Sequence, residues 1–446
     1  MGERRLGPES FPFLKALLEV MSELWIRNGR LIDPSSGTDR RGDLLVRNGL
    51  IAPEGAVPVT DCPVIDAVGL IVSPGWIDCR VALREPGFEE DETIESGTSA
   101  AVAGGFTTIA SLPDTQPVVE TRAAAEFVAR QAERAGHCNV LPLGAVTKGT
   151  EGQELAEIGQ LVAGGAVGFT DGKRPLANAE VMRRALQYCS MWSKPILHHP
   201  QVPELVTGGV MNEGFHSAVL GLRGMPTAAE EIMVRRDIAL AELTGGRIHL
   251  TGISSRRSVD ELREARNRGI AVSADVTPAH LLLTDEAMTS YGANYKLDPP
   301  LRTQTHIEAL IAGLKDGTIE IISSDHTPVA AEKKARELDV VPFGIIGLET
   351  ALSACRAALI EPGYLTWGEL LSKFTIGPAR LYGLITKGTL QAGADADLTI
   401  FDPDVAWTVD ASRFRSKSGN TPFHGQTMRG RVRYTIVDGL VRYQDE

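Results

Sequence analysis

Residues 74–87 read PGWIDCRVALREPG. The apolar run from Trp76, with Pro-Gly on either side, has the form of a buried strand that feeds a glycine-bounded loop. The same plan recurs along the chain, each run closing on polar or turn residues. Eight runs follow it between about Ser73 and Leu384: GWIDCRVALR, FTTIASLPD, NVLPLGAVT, AVGFTDG, PILHHP, RIHLTGISS, AVSADVTP and EIISSDHTP.

Helical patterns occupy the intervals, among them TRAAAEFVARQAERA, NAEVMRRALQYCSMW, TAAEEIMVRRDIALAELTG and SVDELREARNRG. Eight βα units predict an α/β chain whose residues 73–387 form a (β/α)8 TIM barrel. Active sites of that fold lie at the C-terminal strand ends. Arg84, Asp114, Thr147, Asp171, His199, Ser254, Thr277 and Asp325 close the eight runs and are expected to ring one mouth. Two connections are long, QVPELVTGGVMNEGFHSAVLGLRGMP after the fifth run and VAAEKKARELDVVPFGIIGLE after the eighth. Long loops on this face usually cover a substrate or a partner.

Both flanks are β-rich. LWIRNGRLID and DLLVRNGLI each carry Arg-Asn-Gly, a two-residue turn signal, and the C-terminal RVRYTIVDGLVRYQDE carries Asp-Gly. Residues 21–72 and 388–446 are therefore expected to combine into one small β-sandwich. Residues 1–20 read as a disordered N-terminal extension.

Of 446 residues, 43% are hydrophobic, which suits an ordinary globular core. The net charge of −12, without basic clusters, argues against nucleic acid or an anionic membrane as partner. No apolar run reaches membrane-spanning length. Cys62, Cys79, Cys138, Cys189 and Cys355 show no paired spacing, which fits a reducing cytoplasm.

The residues resemble the dihydroorotase family of the amidohydrolase superfamily. The likeness is carried by residues 74–108 and by LPDTQPVV, GGVMNEGFHSAVLGL, DVTPAHLLLT, GANYKLDPPLR, SSDHTPV, FGIIGLETAL, FTIGPARLYGL and GADADLTIFDP. It implies interconversion of carbamoyl aspartate and dihydroorotate on a two-zinc centre. Such a centre supplies hydroxide and a polarised carbonyl, with a final Asp moving the proton.

Position by position, the resemblance assigns Asp325 as the acid/base and Arg84 as the substrate-carboxylate ligand. Two substrate-contacting asparagines fall at Asp114 and Asp298. Asp171, His199 and Asp325 remain as relics of the metal ligands. The His-x-His of the first strand falls at Arg80 and Ala82, the strand-six histidine at Gly252, the second acid after strand four at Gly172, and the closing histidine of the strand-eight motif at Val329. Neither metal keeps three protein ligands, the usual minimum for catalytic zinc. Arg80 is expected to replace the lost cation and to pair with Asp325, Asp171 or an extra aspartate.

These departures give the expectation of a dihydroorotase-like protein of pyrimidine synthesis that has lost activity, needs no cofactor and serves as a non-catalytic partner of aspartate carbamoyltransferase in a homo- or hetero-oligomer. The alternative is an active cyclic-amide hydrolase with one zinc ion, in which Lys173 or Arg84 assists. His198, His249, His280 and His326 read as packing residues, and Cys79 as a small buried hydrophobe.

Overall fold

The computed structural model describes residues 23–59 and 61–445, so the expectation for residues 1–20 lies outside the described residues. The strands in chain order are β1 Glu23–Asp33, β2 Thr38–Arg47, β3 Leu50–Ile51, β4 Val64–Asp66, β5 Ile71–Pro74, β6 Trp76–Val81, β7 Phe106–Ser111, β8 Asn139–Gly144, β9 Gly168–Phe169, β10 Ile196–His198, β11 Met211–Asn212, β12 Gly224–Met225, β13 Ile248–Leu250, β14 Val272–Val276, β15 Ile321–Ile322, β16 Leu398–Thr408, β17 Thr427–Val437 and β18 Leu440–Gln444.

The eight apolar runs become the strands β6 to β10 and β13 to β15. They form one eight-stranded parallel sheet in the order β15-β14-β13-β10-β9-β8-β7-β6. Strands covered on both faces read as near-continuous apolar runs, and β6 and β7 are buried throughout, including the polar Asp78, Arg80, Thr107, Thr108 and Ser111. The barrel is nearly closed. Ala82 N, just past β6, donates to His326 O, beyond β15, at 3.0 Å.

A second sheet draws strands from both flanks, in the order β18-β17-β16-β5-β1-β2-β3, with β4 beside β1. Its pairings are mostly antiparallel, and Val72 of β5 faces Ile400 of β16. An aromatic cluster joins it to the barrel floor. Trp76, which opens β6, stacks on Phe374 at 5.4 Å and meets Phe401 of β16 edge-on at 5.5 Å.

One turn signal has a different outcome. Asn48-Gly49 and Asp438-Gly439 adopt positive φ between paired strands, as expected of hairpin turns. Asn28-Gly29 instead forms an irregularity inside the continuous strand β1. The Asn28 amide donates to Asp43 Oδ1 and its side chain to Asp66 Oδ1, and a Cβ on Gly29 would sit 2.6 Å from Val72 Cγ2. The glycine serves a close approach of strands, not a reversal. None of the described helices is long and apolar enough to cross a membrane.

Candidate functional site

Arg80 is the fifth-to-last residue of the quoted stretch before its closing Glu-Pro-Gly, and it sits almost at the end of β6. Its side chain is 4% exposed. A guanidinium at such a depth needs carboxylates on more than one side. Nε and Nη2 form a two-point contact with Asp275 of β14, at 3.1 and 3.0 Å, and Nη1 donates to Asp325 Oδ1. Asp275 also accepts the Gly252 amide at 2.9 Å and touches His249 Nε2 at 3.1 Å. Burial alone would raise the Asp275 carboxyl. Arg80 and His249 outweigh it and hold that carboxyl well below the usual range.

Asp325 lies just past β15 with a left-handed φ of 53°. Lys173 Nζ reaches its two oxygens at 2.8 and 3.0 Å and also donates to Asp298 O at 2.5 Å. Burial would raise Asp325 as well, and here Arg80 and Lys173 outweigh it, so its carboxyl is lowered. Two fixed cations thus occupy the carboxylate that the resemblance assigns to acid/base work and metal binding.

The remaining expected residues divide between the mouth and its supports. Arg84, also at positive φ, donates to Asp114 Oδ2 at 3.1 Å. His199 Nε2 lies 3.3 Å from Asp298 Oδ1, which also accepts from Gln201 at 2.9 Å. Burial is opposed by His199 and Lys173 at Asp298, whose carboxyl falls to about 2. Arg84, Asp114, Lys173, Arg174, Asp298 and Phe343 line a cavity of about 310 Å3 at this mouth.

Asp171 borders that cavity but commits its carboxylate to the neighbouring loop. Oδ1 accepts the amides of Val146 and Thr147 at 2.8 and 3.0 Å, and Oδ2 accepts the Thr147 hydroxyl at 2.5 Å. Burial leaves its carboxyl raised even so.

The other histidines face supporting contacts. His198 accepts the Leu176 amide at Nε2, so its Nδ1 donates to Asp237, 2.6 Å away. His280 bridges Thr277 and Pro299 O, and burial lowers it to about 4, which keeps it neutral. His326 turns to Glu92 at 3.3 Å. Cys79 is fully buried, and burial raises its thiol well above the usual value.

Asp275 escaped the sequence reading. Its signal was an acid inside the apolar run AVSADVTP, where a buried charge requires a cation. Among the described residues, Cys79, His249 and Asp275 form one cluster close enough to share an ion, but Asp275 there is already the two-point partner of Arg80. The two-metal centre implied by the resemblance does not fit this donor set. Arg80 and Ala82 stand at its imidazole pair, Gly252 at its strand-six imidazole, Asp171 is bonded to backbone, and Asp325 is shared by two cations.

Comparison with known proteins gives the ancestry. Residues 69–258 match the Dihydro-orotase-like family and residues 244–443 the Amidohydrolase family. The chain is 47% identical over 424 residues to a dihydroorotase of Pelotomaculum thermopropionicum, covering 95% of this chain and 99% of that one. It is 46% identical over 421 residues to a dihydroorotase of Solibacter usitatus, covering 94% and 97% of the two chains. Among solved structures it is similar to the L-hydantoinase (dihydropyrimidinase) of Arthrobacter aurescens, with a TM-score of 0.83, 26% identity and coverage of 94% and 95%. A nearly closed parallel barrel, a companion sheet and kinship along almost the whole length place this chain in the dihydroorotase family of the amidohydrolases.

Proposed function

We propose that this protein acts in pyrimidine synthesis as a dihydroorotase-family scaffold whose own barrel does not perform metal-dependent ring opening, and that it serves as a non-catalytic partner of aspartate carbamoyltransferase. The observation that supports the first part is the double occupation of Asp325 by Arg80 and Lys173. A permanent guanidinium charge in a buried pocket opposes entry of a divalent cation. Asp114 and Asp298 add carboxylates at a mouth whose family substrate is an anion. The partner role rests on the family resemblance and on the preserved scaffold.

The names of the relatives favour a second reading. Proteins 46–47% identical along nearly their full length are called dihydroorotases, which supports an active cyclic-amide hydrolase with a reduced, one-zinc site. Such a site would have to be built on His199, which lies 3.3 Å from Asp298, together with Asp171 and Asp325, whose carboxylates would first have to leave the Val146–Thr147 loop and the two cations.

One experiment separates the two. The full chain, purified without chelator and supplied with zinc, is assayed with dihydroorotate and with carbamoyl aspartate while bound metal is counted by elemental analysis. The scaffold reading expects no turnover and no stoichiometric zinc; turnover with one or two bound zinc ions overturns it. Gel filtration with aspartate carbamoyltransferase from the same source tests the partner role, and elution of the two as separate species overturns that part.

A further inference from the structure

On the barrel floor, opposite the mouth, a cavity of about 410 Å3 opens at the N-terminal ends of β10, β13, β14 and β15. Arg247, Arg266, Lys373 and Arg380 line it, and Glu320 is the one carboxylate residue among its lining. Arg266 takes Glu320 at 2.7 Å.

Among the described residues none of the other three cations has a carboxylate of the cavity within ion-pair distance, and Glu320 acts on Lys373 only from longer range. Arg247 donates to the carbonyls of Ser193 and Leu381, at 2.9 and 2.8 Å. Buried Lys373 donates to Ile319 O at 3.0 Å. Arg380 is exposed, and among the described residues its guanidinium has no carboxylate within ion-pair distance. Two acids act on Lys373 from outside the lining, Glu369, which caps its own helix, and Asp316, which Arg263 holds at 2.8 Å.

Carbonyl partners orient a cation without cancelling its charge, so the floor cavity is a positive patch on a chain of net charge −12. Its volume falls within the range of small-ligand pockets. Guanidinium groups in a fork match phosphoryl oxygens by two-point contact, and several cations suit an anion carrying more than one charge. We propose that the barrel floor binds a phosphoryl anion, either inorganic or the phosphate chain of a nucleotide. The site is separate from the mouth and independent of whether the mouth is catalytic.

The test is titration calorimetry on the full chain with inorganic pyrophosphate and with ATP, each against sodium chloride at matched ionic strength. Arg380→Gln and the charge reversal Arg380→Glu are measured alongside, and the exposure of Arg380 lets both variants fold. Saturable pyrophosphate binding is expected, weakened about tenfold in Arg380→Gln and further in Arg380→Glu. Equal affinities for the two probes identify the phosphoryl group as the whole ligand, while tighter ATP binding identifies a nucleotide. No heat beyond the chloride control, or unchanged affinity in both variants, overturns the proposal.

Discussion

A Cβ placed on Gly252 would lie 3.3 Å from Arg80 Nη2. The missing side chain at 252 therefore makes room for the guanidinium at 80, and both residues bond the same oxygen of Asp275, Oδ1. The two departures from the family pattern are sterically coupled. Gly252→His alone should destabilise the fold by about 2–4 kcal/mol, from left-handed strain at φ +63° plus crowding. The double variant Arg80→His/Gly252→His should cost less than the sum of the singles, by about 1 kcal/mol or more. Urea unfolding of all four proteins measures this, and strict additivity would show that the two positions are independent.

Arg80→Met removes the cation and leaves Asp275 and Asp325 buried, with Lys173 as the remaining ammonium on Asp325. The expected cost at neutral pH is about 3–5 kcal/mol. The pH dependence reverses with it. In the wild type both carboxyls are lowered in the fold, so their contribution is complete above the unfolded value of 3.8 and is lost as pH falls through the folded values. In the variant the carboxyls rise, and stability relative to wild type should recover as pH falls towards 5. A parallel fall of both curves across pH 5–8 would refute the charge assignment.

Asp114→Asn/Asp298→Asn removes two negative charges from the mouth cavity and frees Arg84 from its 3.1 Å partner. Dihydroorotate should then bind at least about tenfold more tightly than to wild type, by calorimetry at low salt. Equal or weaker binding would mean that these carboxylates do not govern anion entry.

His280 offers a pH test beside the charged cluster, where Asp325 and Lys173 act on it in opposite directions. Its imidazole is lowered by burial from 6.5 to about 4. The folded state thus binds fewer protons than the unfolded chain between those values. Stability should be unaffected above about pH 6.5, decline from there to about pH 4, and level off below, apart from the carboxylates. In His280→Gln that slope should flatten; an unchanged slope would assign it to other groups.

The barrel was legible because strands covered on both faces are mostly apolar, so each run stood out whole, even where only Gly168–Phe169 is regular strand. The place of Arg80 was legible for a similar reason, since a guanidinium between Cys79 and Val81 cannot lie in a dry strand without carboxylates. The identity of its main partner was not. Asp275 is distant in sequence, and no local pattern tells which acid faces which cation across a barrel. The direction of Asp171 was equally hidden. A residue type can persist while its carboxylate turns to two loop amides, as here with Val146 and Thr147. The Asn28-Gly29 signal misled because the same φ serves a turn and a strand irregularity.

The pairing of Val72 with Ile400 sets a schedule for synthesis. Strand β5 emerges early from the ribosome and leads directly into the first barrel strand, but the edge it needs is made some three hundred residues later. At about 5–20 residues per second the early sheet waits tens of seconds with one edge open. A nascent chain stalled before β16 therefore carries an unsealed β edge next to a barrel that is otherwise complete, which makes late truncations a target for chaperones and proteases rather than smaller working proteins.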